Sequence, residues 1–206
     1  YYNTSKQSLE NKLWNGMAEE TAHQLGTPIS SLLGWLTILE NNVDEKTLKQ
    51  MKSDVNRLET ISARFSKIGS LPNRKKTKIS DLVKDIVDYM QIRMPKDITL
   101  DVYSDKHEQQ VKVNSELIAW VLENLIKNSI DSIRGKGSIK IYLNWDSSAS
   151  IIIKDSGNGI RKKFQKKIFN PGVTTKRRGW GLGLALAKRI VEKYHDGSIK
   201  LIKSTE

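Results

Sequence analysis

From Leu25 onward the apolar residues Ile29, Leu32, Leu36 and Leu39 return at spacings of four, three, four and three, and Ala18 and Ala22 extend the stripe backwards. That is the seam of an amphipathic helix packed on other helices. The polar stretch Glu40-Asn41-Asn42-Val43-Asp44-Glu45 interrupts it, and a second seam runs through Leu48, Met51, Val55, Leu58, Phe65 and Ile68. The two predict a helical hairpin over residues 1–70. A lone hairpin cannot bury both seams, so two copies joined as a dimeric four-helix bundle are the economical arrangement, and a homodimer is expected.

Gly69-Ser70-Leu71-Pro72-Asn73 stops the second helix, and the pattern changes from heptads to mixed strands and helices over residues 74–206. It predicts strands near Thr77–Ile79, Ile98–Tyr103, Val111–Val113, Ser138–Trp145, Ser150–Lys154 and Ser198–Ile202. Helices are predicted over Ser80–Met94, Asn114–Ile133 with Asn114 as the cap, and Gly181–Tyr194, with a basic, partly helical stretch before the last. Helices covering one face of a mixed sheet make this part a two-layer α/β sandwich, and the whole chain α+β.

Composition narrows the classes. With no cysteine there are no disulfides and no zinc-thiolate sites, which suits a reducing compartment, and a cytoplasmic location is expected. No apolar run reaches the length of a membrane span and Tyr1-Tyr2-Asn3-Thr4-Ser5-Lys6 has no signal-peptide core, so a membrane is expected only through a region before Tyr1. The 35 Lys and Arg against 23 Asp and Glu give a net charge of +12, yet the basic clusters are scattered and lack interleaved aromatics. They read as solvated surface, and no nucleic-acid partner is expected.

Four motifs carry the chemistry. His23 lies one step off the first seam, which turns its imidazole to solvent, and Pro28 five residues later interrupts the helix hydrogen-bonding beside it. Neutral imidazole accepts a phosphoryl group near pH 7 because its ordinary pKa is about 6.5. Asn124 and Asn128 are four apart on one helical face, and an amide oxygen there can complete a magnesium shell shared with phosphates. Asp155 ends the apolar run Ile151-Ile152-Ile153-Lys154, where a carboxylate can accept from the amino group of adenine, while Gly157 and Gly159 admit the ring; an ordinary tight turn would look the same. Gly179, Gly181 and Gly183 open the last helix, whose free N–H groups favour phosphate, and Thr174, Thr175 and Lys176 precede them; a flexible linker is the alternative.

By these motifs and their order the chain resembles the sensor histidine kinases of two-component signalling over nearly all of its length. The segment His23-Gln24-Leu25-Gly26-Thr27-Pro28 is similar to the family's phosphoacceptor box, Asn124 to Asn128 to its asparagine box, Asp155, Gly157 and Gly159 to its adenine box, and Gly179, Gly181, Leu182 and Gly183 to its last glycine box. Phe169 falls where a phenylalanine precedes the lid. The resemblance implies a Bergerat ATP-binding fold, ATP and Mg2+ as cofactors with Asn128 on the metal, and Thr175 and Lys176 in the lid, Lys176 on the phosphates. It also implies autophosphorylation of His23, transfer to an aspartate of a response-regulator receiver domain, and a place for Thr27 in dephosphorylating that partner.

Three positions depart from the family pattern. Gln24 stands where an acid is usual, the loop Asn170–Gly179 is short, and the sequence stops just after the last expected strand. Glu19 and Glu20, four and three residues before His23, share its helical face and could replace the missing acid. With Gln24 the chain could also be a non-catalytic ATP-binding scaffold. A hydrolysing ATPase of the related type is disfavoured, because such enzymes carry a glutamate where this chain has Asn124.

Overall fold

The structure is a computed structural model, and it describes residues 24–40, 42–69, 73–105, 108, 110–146, 148–176 and 181–205. The chain divides into two compact units, Tyr1–Pro72 and Asn73–Glu206.

In the first unit, α1 covers 24–39 and α2 covers Glu45–Gly69. Asp44 starts α2 by accepting the Thr47 N–H at 2.9 Å, and hydrogen bonding from Thr47 lowers its pKa. Ile29 and Leu36 of α1 pack with Leu48 and Val55 of α2. Of the other seam positions whose side chains are described, Leu39 is half-buried and Leu25, Leu32, Met51 and Leu58 are exposed, as are Trp35 and Ile38 beside them. A single hairpin thus buries alternate seam positions and leaves the rest uncovered.

The second unit opens with β1 (Lys75–Lys78), α3 (Ile79–Gln91), β2 (Ile98–Ser104) and β3 (Gln110–Val113). It continues with α4 (Ser115–Ser132), β4 (Gly137–Trp145), β5 (Ala149–Asp155), the single turn α5 (Lys162–Gln165) and α6 (Gly183–Tyr194). β1 and β3 form an antiparallel ribbon; β2 runs parallel to β4, and β4 antiparallel to β5, so the three-stranded sheet is mixed.

β4 shows why the sheet has one core face. Ile139, Ile141, Leu143 and Trp145 alternate with Lys140, Tyr142 and Asn144, and the first set is buried against Ile118, Leu122 and Ile126 of α4 and Val83, Ile86 and Val87 of α3. On the other face Tyr103 and Tyr142, opposite one another in register, stack with centroids 5.1 Å apart. α4 is the central helix, packed on α3 and on α6, whose buried residues are Leu186, Ala187, Ile190 and Tyr194.

The caps follow the sequence. Asn114 accepts the Leu117 N–H at 3.0 Å and so starts α4 as expected. Lys78 gives α3 no side-chain cap; the Glu108 carboxylate takes the Ser80 N–H at 3.0 Å instead, and hydrogen bonding from the Ser80 side chain, then from this N–H, lowers the Glu108 pKa.

The expected strand over Ser198–Ile202 does not form. These residues have no ladder partner among the described residues; the Ser204 hydroxyl takes the Ile160 N–H at 2.7 Å, and Ile202 is 66% exposed. Alternation is present in this segment, but a strand also needs a neighbour to pair with.

His195 joins three parts of this unit. Its Nε2 accepts the Asn114 N–H at 3.0 Å and its Nδ1 faces the Ile190 carbonyl at 2.8 Å, a pairing that requires the neutral ring with the proton on Nδ1. Beside it Arg74 bonds Asp196 at 2.6 Å and Asn114 Nδ2 donates to the Asn73 carbonyl. Burial holds the His195 pKa below 6.5; the Ile190 carbonyl and Asp196 oppose this and Arg74 adds to it. The unfolded chain therefore takes up a proton near pH 6.5 while the folded one resists, so this contribution is complete above pH 6.5 and is lost as pH falls below it through the folded pKa. His195→Gln is expected to cost about 0.5–1.5 kcal/mol at pH 7.5 and to flatten the acid slope of urea unfolding. Equal slopes in the two proteins would exclude this role.

Candidate functional site

The expected site residues of the second unit gather at the C-terminal half of α4. Asn124, Asn128 and Asp131 follow at spacings of four and three along one face, with Ser129 and Ser132 a step round the helix. Asp155 at the end of β5 is held from that helix: Ser129 Oγ donates to Oδ2 at 3.1 Å and Ser132 Oγ to Oδ1 at 3.1 Å, while the Gly157 N–H donates to Oδ1 at 2.8 Å. The turn after β5 is fixed on the same groups, since the Asn158 N–H bonds the Ser132 carbonyl and Ser156 Oγ accepts the Ser138 N–H. Gly159 completes it at φ 72°.

One turn along α4, Asn128 and Asp131 converge on a cation supplied by the chain. The Lys176 ammonium donates to Asn128 Oδ1 at 2.9 Å and to Asp131 Oδ2 at 2.6 Å. Both partners of the Lys176–Asp131 pair are about two-fifths exposed, so solvent screens it. Lys176 itself leaves a turn in which its N–H bonds Thr174 Oγ1, and Thr175 beside it is exposed.

The start of α6 closes the site. Among the described residues no side chain caps it and its first turn carries no acid, which leaves its first N–H groups without an intrahelical partner. Gly183 abuts Asn124: a Cβ there would overlap the amide oxygen. The Asn124 Nδ2 on the same amide is buried and has no hydrogen-bond partner among the described residues. Gly181 sits at φ 65°, where a Cβ would come within 2.6 Å of the Gly172 carbonyl carbon, and its carbonyl accepts the Gly172 N–H at 3.1 Å. The two ends of the 172–181 loop are thereby tied together, and Leu182 precedes the helix as its N-cap residue.

Asn124, Asn128, Asp155, Gly157, Lys176, Gly181 and Gly183 thus share one region. Gln24 and Thr27 lie exposed on α1, which belongs to the other unit; His23, Glu20 and Gly179 fall outside the described residues. Sequence reasoning missed Asp131, Ser129 and Ser132. Extending the Asn124–Asn128 face by three residues would have found Asp131. The serines carried no comparable signal, because their purpose lies on another element.

Comparison with known proteins fits this geometry. Residues 113–206 match the family described as histidine kinase-, DNA gyrase B-, and HSP90-like ATPases. Sporulation kinase D of Bacillus subtilis (strain 168) is 29% identical over 195 residues, which cover 90% of this chain and 38% of that protein. The chain spans about a third of the length of the curated relatives it matches. Among solved structures, the catalytic domain of histidine kinase ThkA is 28% identical with a TM-score of 0.57, covering 62% of this chain and 86% of that one. A ThkA structure in complex with the response regulator protein TrrA matches 96% of this chain and 60% of that one, at 22% identity and a TM-score of 0.58, a likeness of fold. With the mixed sheet under its helices and the motif residues assembled at one end of α4, the chain is similar to sensor histidine kinases over most of its length, and residues 113–206 match the ATPase family that histidine kinases share.

Proposed function

We propose that the chain transfers the γ-phosphoryl group of ATP to His23 as a homodimer, and passes it on to an aspartate of a response-regulator receiver domain. The observation that carries the reading is the convergence on α4 of a clamped carboxylate, a cation seat and a helix start without a side-chain cap from its N-cap residue. Asp155 takes the adenine amino group; Gly157 and Gly159 border the ring. The α6 start, with Gly179, Gly181, Leu182 and Gly183, and the lid residues Thr175 and Lys176 take the phosphates.

Magnesium fits the donor set, since the Asn128 amide oxygen and the Asp131 carboxylate already hold a positive charge between them. Asn128 would ligate it, and a bound magnesium would supply charge neutralisation on the phosphates. The buried Asn124 Nδ2, which has no acceptor among the described residues, suits a site that receives an oxygen-rich ligand.

Apolar residues left exposed on the hairpin, Leu25, Leu32, Met51 and Leu58, support the homodimer, because a second copy would complete the half-buried seam. The match to ThkA in complex with TrrA supports the receiver-domain partner. Thr27, four residues after His23, is exposed on α1 and suits an additional phosphatase role toward that partner.

Gln24 shapes the chemistry at His23. Its amide can orient one ring nitrogen but cannot remove the proton or balance the cationic ring that forms, whereas Glu20, three residues before His23 in the sequence, is a carboxylate that can do both. Slow autophosphorylation is therefore expected, with a gain of roughly tenfold or more for Gln24→Glu and a marked loss for Glu20→Gln. Incubation with labelled ATP and magnesium tests the whole reading: base-stable, acid-labile label on the protein is expected. Label absent from the parent and from Gln24→Glu alike, with ATP still bound, would make the chain an ATP-binding scaffold instead.

A further inference from the structure

Asp155 is an adenine acceptor only if its carboxylate is held in one orientation, and α4 supplies what holds it. Ser129 is 6% exposed and lies on the inner side of a helix whose neighbouring positions, Ile126 and Ile130, are apolar. Alanine would fill that position with better helix propensity, and a buried hydroxyl has to be paired. It is paired with Asp155 Oδ2, at 3.1 Å. Ser132, one turn later, reaches Oδ1 at 3.1 Å, and its own carbonyl holds the Asn158 N–H.

The arrangement counts acceptors. A carboxylate offers about four lone-pair sites. Ser132 Oγ and the Gly157 N–H address Oδ1, and Ser129 Oγ addresses Oδ2. One site is left over, on Oδ2. A base that brings a single N–H donor there is accepted, and one that brings a carbonyl oxygen, as guanine does at the same ring position, meets a second acceptor.

We infer that Ser129 and Ser132 are positioning residues that set the purine specificity of the nucleotide site through Asp155. The inference rests on the reading of Asp155 as the adenine partner. The two serines are not equivalent. The Ser132 hydroxyl has one proton for two acceptors, the Ser129 carbonyl at 2.8 Å and Asp155 Oδ1 at 3.1 Å, and the nearer is within the helix. The Ser129 hydroxyl points to the carboxylate, so Ser129 is the steadier member of the clamp.

The test uses the full chain with magnesium and two nucleotides, ATP and the triphosphate of purine riboside, which lacks the 6-amino group, with binding followed by calorimetry. The parent should favour ATP. Ser129→Ala should narrow that preference by about threefold to tenfold, Ser132→Ala by less, with the affinity for the des-amino nucleotide unchanged in both. Alanine suits a helix, and Ser132 is at the half-exposed end of α4, so at least that variant is expected to fold. A preference untouched in both serine variants but closed by Asp155→Asn would overturn the inference and leave Asp155 as the adenine partner. Equal loss of both nucleotides would also overturn it, since a merely structural serine would act that way. No preference in the parent would remove the Asp155 reading itself.

Discussion

An Asn128→Ala chain is expected to bind ATP and to lose autophosphorylation by about a hundredfold or more, the scale on which removing one positioned group for developing charge is felt. Phosphoryl transfer depends on placement and charge neutralisation more than on covalent help from the protein, so losing the amide oxygen that faces the cation seat weakens the step itself. The substitution should leave the fold alone, because Asn128 is half-buried at the edge of α4 and outside the apolar cluster built from Ile118, Leu122 and Ile126. It also leaves Lys176 with Asp131 as its remaining partner of the two, so the lid lysine keeps an anchor. The measurement is label transfer from ATP across a magnesium titration, with nucleotide binding as the control. Full activity with an ordinary magnesium dependence would remove Asn128 from the metal site.

His23→Gln should abolish base-stable, acid-labile label altogether, since a carboxamide is not a phosphoryl acceptor, while glutamine supports a helix at least as well as histidine. The chain has three histidines, His23, His107 and His195. His195 is a poor substitute, both its ring nitrogens being taken by backbone groups at 2.8 and 3.0 Å. Co-expression of His23→Gln with Asn128→Ala chains, separately tagged, then reports on which protomer supplies the nucleotide. Label on the Asn128→Ala chain means transfer between protomers, and no label in the mixed dimer means transfer within one. Label persisting in His23→Gln alone would place the acceptor elsewhere.

Much of the second unit could be read from local pattern. The alternation of Ile139, Ile141, Leu143 and Trp145 announced a strand with one wet face, and Asn114 announced a helix start that its contact with Leu117 makes real. The four-residue spacing of Asn124 and Asn128 put both on one face, and that face does meet the start of α6 and Lys176. What escaped is long-range. Ser129 and Ser132 look like ordinary helix residues until β5 brings Asp155 against them from more than twenty positions away. Periodicity over Ser198–Ile202 promised a strand because it cannot report whether a neighbour is there to pair with. In the hairpin, the heptads located the seams but could not tell which alternate positions one chain buries by itself.

The bond between the Gly172 N–H and the Gly181 carbonyl has a consequence for how this kind of chain can diverge. It fastens Gly172 to Gly181 directly before α6, so the segment between them is closed at its base. Residues can be added between those two at an entropic cost that grows only with the logarithm of the loop length. Lid length can therefore vary, or be engineered, at little cost to folding so long as Thr175 and Lys176 keep their places.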